Sequence, residues 1–222
     1  GLIKKDQAFH DALYALKAPF TGSPRELFRT AMRFRRITWG TDSIALVGEG
    51  LRGKQLTRLN IYNPATGSLE KLLERNTTNA YDDPGEPVTV RNKYGRYVIK
   101  PVEKGSKILM NNITGSSPEG DRPFLAKLNL TTKSSEIIWR CPEGYYESVS
   151  RVLDADKLVL LTRRESQKEA PDFYIKNLIL RIADKKLTDF GNPYPSLENV
   201  SKQKIVYKRA DGISLTGNLY LP

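Results

Sequence analysis

The chain has 222 residues, with 36 Lys or Arg against 25 Asp or Glu, a formal net charge of +11, one cysteine and one histidine. That length buries a substantial core in one or two domains. The composition excludes an internal disulfide and a zinc-ligand set, and no apolar run approaches the roughly 20 residues that a membrane-spanning helix needs.

At the amino terminus, Gly1-Leu2-Ile3-Lys4-Lys5 lacks the apolar core and cleavage site of a secretory signal. His10 precedes the first repeated element and reads as an exposed terminal histidine rather than a catalytic base. Helical periodicity is almost absent beyond it. What recurs is a strand, a turn and a second strand, with anchors at Leu16, Ile61, Leu130 and Ile182, which are 45, 69 and 52 residues apart. A period of about 45 to 50 residues is the size of one four-stranded propeller blade, and the long interval leaves room for an insertion near Asn76–Pro87 or Ser116–Arg122. Both stretches have the Asn, Asp, Gly, Ser and Pro content of exposed loops.

Four strands are expected in each unit. The first comprises Phe34–Trp39, Ile44–Val47, Gln55–Tyr62 and Leu69–Arg75; the second Val88–Lys100, Ile108–Asn112, Phe124–Leu130 and Glu136–Arg140; the third Glu147–Leu153, Leu158–Arg163, Phe173–Ile182 and Lys186–Phe190. Short turns between successive strands favour antiparallel pairing, and strands apolar on both faces suit stacked blades. The expected fold is therefore all-β, a partial or small β-propeller of four-stranded antiparallel blades. Its segments are a lead-in and half blade over 1–30, blades over 31–78, 79–142 and 143–195, and a linker and hairpin over 196–222. Strands over 12–18 and 25–30 supply the half blade, and the tail either completes it or leaves an open arc.

The tail itself has two alternating apolar stretches flanking Arg209-Ala210-Asp211-Gly212, the pattern of a β-hairpin. Chemistry-bearing patterns are scarce. No Gly-x-Ser-x-Gly elbow occurs, and Gly115-Ser116-Ser117-Pro118-Glu119-Gly120 has the wrong spacing. Cys141 reads as a small apolar residue at a strand end. Asp82-Asp83 and the Asp154/Asp156 pair offer too few oxygens for calcium and read as turns. No Gly-rich phosphate loop is present, and the four glycosylation sequons are a pattern common by chance. Neither metal nor cofactor is expected. Arg33-Phe34-Arg35-Arg36 is the only dense basic run, too short for a nucleic-acid arm. Trp39, Trp139 and Tyr145-Tyr146 read as packing between and within blades.

Two sets of residues carry a family resemblance. Tyr207, Asp211-Gly212, Leu215, Gly217, Leu219-Tyr220 and Pro222 resemble the strand pair that opens the α/β-hydrolase domain in the prolyl oligopeptidase family of serine peptidases. Ala18-Pro19-Phe20-Thr21, Leu27-Phe28-Arg29-Thr30, Arg33-Phe34-Arg35, Ile37-Thr38-Trp39-Gly40 and Ala45-Leu46-Val47 resemble the propeller of its glutamyl endopeptidase branch. From about Leu51 to Ser201 the likeness is only that of generic repeats.

The resemblance implies a propeller that caps a hydrolase domain of the same protein, gates and positions peptide substrates, and carries no catalytic triad itself. It implies no nucleic-acid or membrane partner, and export in bacteria or a chloroplast in plants. Arg33 and Arg35 are the candidate substrate-binding residues. On a regular innermost strand they share a face with Ile37 and Trp39 while Arg36 points opposite, and guanidinium groups there would receive a substrate carboxylate. The competing reading pairs these arginines with Glu49, Glu70 or Glu74. A free-standing propeller-like interaction module with a basic docking surface is the alternative function. Nucleic-acid binding through net charge ranks last, since no basic stripe exists.

Overall fold

The computed structural model describes residues 9–222; the terminal stretch read above for a secretory signal lies outside the described residues. The chain opens with a two-stranded sheet, β1 (Asp11–Ala15) with β2 (Arg25–Thr30). The first complete blade follows as β3 (Arg33–Trp39), β4 (Ala45–Leu51), β5 (Leu56–Tyr62) and β6 (Leu69–Asn76), hydrogen-bonded in that order.

The second blade departs from the sequence expectation at its first strand. Val88–Lys100 is not one strand. β7 (Glu86–Pro87) pairs with the blade, and a separate hairpin of β8 (Thr89–Arg91) and β9 (Tyr97–Ile99) is looped out. The turn residues Asn92 and Gly95, the latter at φ 74°, break the run. The blade continues with β10 (Lys107–Asn112), interrupted by the small hairpin β11 (Ser116–Ser117) and β12 (Gly120–Asp121), and ends with β13 (Phe124–Asn129) and β14 (Ser135–Arg140). The long repeat interval is thus filled both by the loops foreseen and by the β8–β9 hairpin.

The third blade is β15 (Tyr146–Asp154), β16 (Val159–Glu165), β17 (Asp172–Asn177) and a two-residue β18 (Lys185–Lys186). β17 stops at Asn177 rather than Ile182, because Asn177 Oδ1 accepts the N–H groups of Ile179 and Leu180 and turns the chain. Asn63 and Asn129 do the same at the equivalent turn of the other blades. The tail forms the expected hairpin, β19 (Ser201–Lys208) with β20 (Ser214–Leu221), around Gly212 at φ 86°. It is a sheet of its own and shares no ladder with β1 or β2.

Three apolar layers stack these sheets. Phe28 of β2 meets Ala45, Val47 and Tyr62. Leu46 and Leu72 of the first blade meet Ile108, Met110 and Leu128 of the second. Leu109 and Leu125 meet Val149 and Leu160 of the third. Along β10 the neighbours Ile108, Leu109 and Met110 alternate between the two layers, as the period of two in a strand requires. Each such buried Leu or Ile stabilises by about 1.5–3 kcal/mol.

The third blade's last edge is tied down ionically. Burial works against ionising the Asp172 carboxyl, but the Thr188 hydroxyl, the Phe190 N–H and Lys186 hold it down at about 2, from an ordinary 3.8. A depressed carboxyl stabilises the fold above its ordinary range and loses that contribution as pH falls through the folded value. Asp172→Asn is therefore expected to be less stable than the parent at pH 5, with the gap closing progressively between about pH 4 and 2. Urea unfolding at several pH values checks this; a gap of constant size down to pH 2 would show that the anchor is not ionic.

Candidate functional site: an arginine-lined cleft between two blades

Between the first blade and the start of the second lies a cleft of about 740 Å³. Its floor is the Gly48–Gly50 stretch of β4. A Cβ at Gly48 would stand 3.4 Å from Arg36 Cγ, and one at Gly50 would stand 2.8 Å from the Leu56 carbonyl oxygen and 3.5 Å from Arg35 Nε. The missing side chains let two arginines lie flat on the sheet and let β5 close against β4.

Five arginines border the cleft: Arg35, Arg36, Arg52, Arg58 and Arg75. Three are committed. Arg36 pairs with Glu86, Arg75 with Asp83 at 2.5 Å, and Arg58 with Glu74 at 2.5 Å and Glu49 at 3.1 Å. Glu49 is only 1% exposed and also accepts the Met32 N–H at 2.7 Å and the Asn60 amide at 2.9 Å, which accounts for its burial as a charge. Arg35 and Arg52 have no carboxylate partner among the described residues.

The two sequence candidates part company here. Arg33 donates to Asp11 Oδ1 at 3.0 Å, and the Phe34 N–H donates to the other oxygen at 2.7 Å, so Arg33 fastens the half blade to the first blade. Between Phe34 and Arg36 the β3–β4 register slips by one residue, because Phe34 faces Glu49 while Arg36 faces Gly48. This bulge places Arg35 opposite no residue, and the side chains of Arg35 and Arg36 both pack over Gly48. Strict alternation fails at that point. None of the basic run pairs with Glu49, Glu70 or Glu74; Glu49 and Glu74 belong to Arg58. Arg52 and the Gly48/Gly50 floor were missed in the sequence, although Gly-x-Gly inside a strand signals close approach of something to the backbone.

The cleft lies at the turn between second and third strands of its blade. The tail hairpin sits at the equivalent turns of the other two blades: Lys204 Nζ donates to Pro118 O at 2.8 Å, and Gln167 Nε2 donates to Lys202 O at 3.0 Å. Cleft and hairpin therefore occupy the same end of the blades. The hairpin leaves Val206, Tyr207 and Tyr220 exposed.

The remaining candidates are structural. Cys141 is buried, its thiol pushed up by burial, and its sulfur accepts the Glu147 N–H at 3.0 Å. His10 is half-buried rather than exposed, and its N–H starts the β1–β2 ladder by donating to Thr30 O. Asp83 is held by Arg75 and Gly85 N–H, and Asp154 caps the turn at Asp156 and Lys157. No cluster of metal-ligating residues occurs among the described residues. The sequon residues Asn76, Asn112 and Asn129 use their side chains in turns. Trp139 packs at the interface between second and third blades, and Tyr146 bridges those blades by donating to Ile113 O at 3.0 Å. Trp39 stays 44% exposed, with its ring edge-on to Tyr62.

A "Probable glutamyl endopeptidase, chloroplastic" of Oryza sativa subsp. japonica is 34% identical over 238 residues, and its Arabidopsis thaliana counterpart is 31% identical over 239. Both alignments take in 100% of this chain. The chain is thus similar, over its whole length, to a segment of these two proteins. It spans 25% of the length of each of these curated relatives. No family model matches it. Solved structures with similar folds include TolB from Acinetobacter baumannii (TM-score 0.43, 12% identity, 93% of this chain and 45% of that one) and a puromycin hydrolase (0.44, 13%, 88% and 26%). A putative dipeptidyl aminopeptidase IV from Bacteroides ovatus is a third (0.49, 16%, 92% and 36%).

The floor of the cleft is directly testable. Gly50→Ala places a Cβ against a backbone oxygen and is expected to destabilise by about 1–3 kcal/mol in chemical denaturation. Gly53→Ala, which meets nothing within 4 Å, should stay within about 0.5 kcal/mol of the parent. Equal behaviour of the two would show that the close approach at Gly50 does not hold in solution.

Proposed function

We propose that this segment serves a glutamyl endopeptidase-like serine peptidase as its non-catalytic propeller, gating and positioning peptides over a hydrolase domain of the same protein. The observation that carries this reading is the similarity of the whole chain to a segment of such peptidases. The geometry adds support in one respect: the cleft with Arg35 and Arg52 shares an end of the blades with the tail hairpin, whose sequence resembles the lead into a hydrolase domain.

In this reading Arg35, rather than Arg33, meets a substrate carboxylate. Arg33 is already spent on Asp11, whereas Arg35 has no carboxylate to leave. A partly desolvated guanidinium–carboxylate contact is worth about 1.5–3 kcal/mol, which corresponds to roughly 10- to 100-fold in kcat/KM. Kinetics of the full-length protein on glutamyl and neutral peptides test this. Arg35→Ala is expected to lose about that factor on glutamyl substrates and little on neutral ones, and Arg33→Ala to lower stability without changing the ratio. Equal losses on both substrates with Arg35→Ala would sink the carboxylate role.

A further inference from the structure

The β8–β9 hairpin has no part in the cleft. Val88 N–H donates to Leu109 O at 2.9 Å and Val102 N–H to Lys107 O at 2.8 Å, so partners two residues apart on β10 are met by residues far apart in the chain. Everything from Thr89 to Pro101 is therefore looped out of the first strand at one point. That strand is the free edge of its sheet, with β10 as its one neighbour, and first strands are the ones nearest a propeller's axis. The hairpin thus projects from the inner edge of the blade.

It is firmly built. Ile99 is 1% exposed in the layer between first and second blades, next to Gly40. The ladder pairs Thr89 with Ile99, Val90 with Val98 and Arg91 with Tyr97. At the tip, Asn92 Oδ1 accepts the N–H groups of Tyr94 and Arg96 at 2.9 and 3.0 Å. The side chains it carries are cationic and aromatic. No acidic residue occurs between Pro87 and Glu103, while Arg91, Lys93, Arg96 and Lys100 do. Lys100 is taken by Asp156 at 2.5 Å; the other three have no carboxylate partner among the described residues. Arg91 lies 5.6 Å from the centroid of the Tyr97 ring and Lys93 5.0 Å from that of Tyr94, with the two tyrosines 54% and 75% exposed.

We propose that this hairpin is a docking site for acidic stretches of extended polypeptide. Its three free cations meet carboxylates, while the flanking tyrosine faces pack against the backbone and side chains between them. Three cations neutralise too few phosphates to hold nucleic acid at physiological salt, which favours a peptide. The proposal does not depend on a catalytic domain and is separate from the carboxylate role of Arg35.

Fluorescence anisotropy of labelled (Glu-Gly)5 and (Gln-Gly)5 peptides with this chain tests it. The expected result is acidic-over-neutral selectivity that collapses about tenfold in the Arg91→Gln/Lys93→Gln/Arg96→Gln variant, whose changes are all on the hairpin and leave its Ile99 base intact. Tyr94→Ser is expected to weaken both peptides alike. The proposal is overturned if the triple variant binds (Glu-Gly)5 within twofold of the parent, or if a 20-nucleotide single strand binds the hairpin more tightly than the peptide. Loss of binding with Arg35→Ala, with the triple variant unchanged, would put the peptide in the cleft and overturn the hairpin site while leaving the proposed function standing.

Discussion

A four-stranded sheet that is apolar on both faces cannot stand in water by itself; it needs a second sheet against each face before the entropy lost in ordering its strands is offset. The first and second blades follow that constraint on both faces, and the third has a stacked layer against the second blade on one face. Ile108 and Met110 go to one neighbour and Leu109 to the other, and the same division continues across β13 with Leu128 and Leu125. The half blade is held by the same means, through Phe28 and Tyr62, whose ring centroids lie 4.7 Å apart. On the third blade the apolar residues toward its last edge, Leu187 and Phe190, stay exposed.

Stacking dictates sequence on the faces of the blades but not at their ends or inner edges, and polar chemistry gathers where that pressure is absent. Where a charge does enter a stacked layer, it brings its partners. Glu49 arrives with Arg58, Asn60 and the Met32 N–H; Glu147 is the exception, with Lys176 at 3.7 Å beside the Trp139 ring and no hydrogen bond to either carboxylate oxygen among the described residues. Removing one member of the Glu49 set leaves an uncompensated buried charge, so these contacts tie β4 to β5 and to the Met32 turn as well as fill space.

The part of the fold governed by stacking was legible in the sequence for the same reason. The strands of the first blade, the third-to-fourth-strand turns headed by Asn63 and Asn129, and the terminal hairpin around Asp211-Gly212 all follow from period-two apolar patterning and turn chemistry. Other features were not legible, among them the early end of β17 at Asn177, and two of them concern pairing. Val88–Lys100 reads as a strand because Val90, Tyr97, Val98 and Ile99 have strand propensity, and they do form strands, but with each other. Arg33 and Arg35 read as sharing a face because alternation was assumed through Phe34, where a bulge intervenes. Propensity and periodicity describe which residues extend. They do not say which partner an extended segment takes or where a register slips.

These two pairing failures fall on first strands, and that coincidence has a physical basis. A first strand has a neighbour on one side only, so an extra residue or an extra hairpin disturbs one ladder rather than two, and the blade tolerates it. At β3 the tolerated irregularity is a single bulge that turns Arg35 into the cleft; at β7 it is a whole hairpin that carries Arg91, Lys93 and Arg96 outward. In each case the stacked core is undisturbed, since Leu46 and Leu128 stay buried in the layer beside both sites. Cations without partners can therefore be added at the inner edge without destabilising the packing that holds the blades together, and that is where the structure has placed them.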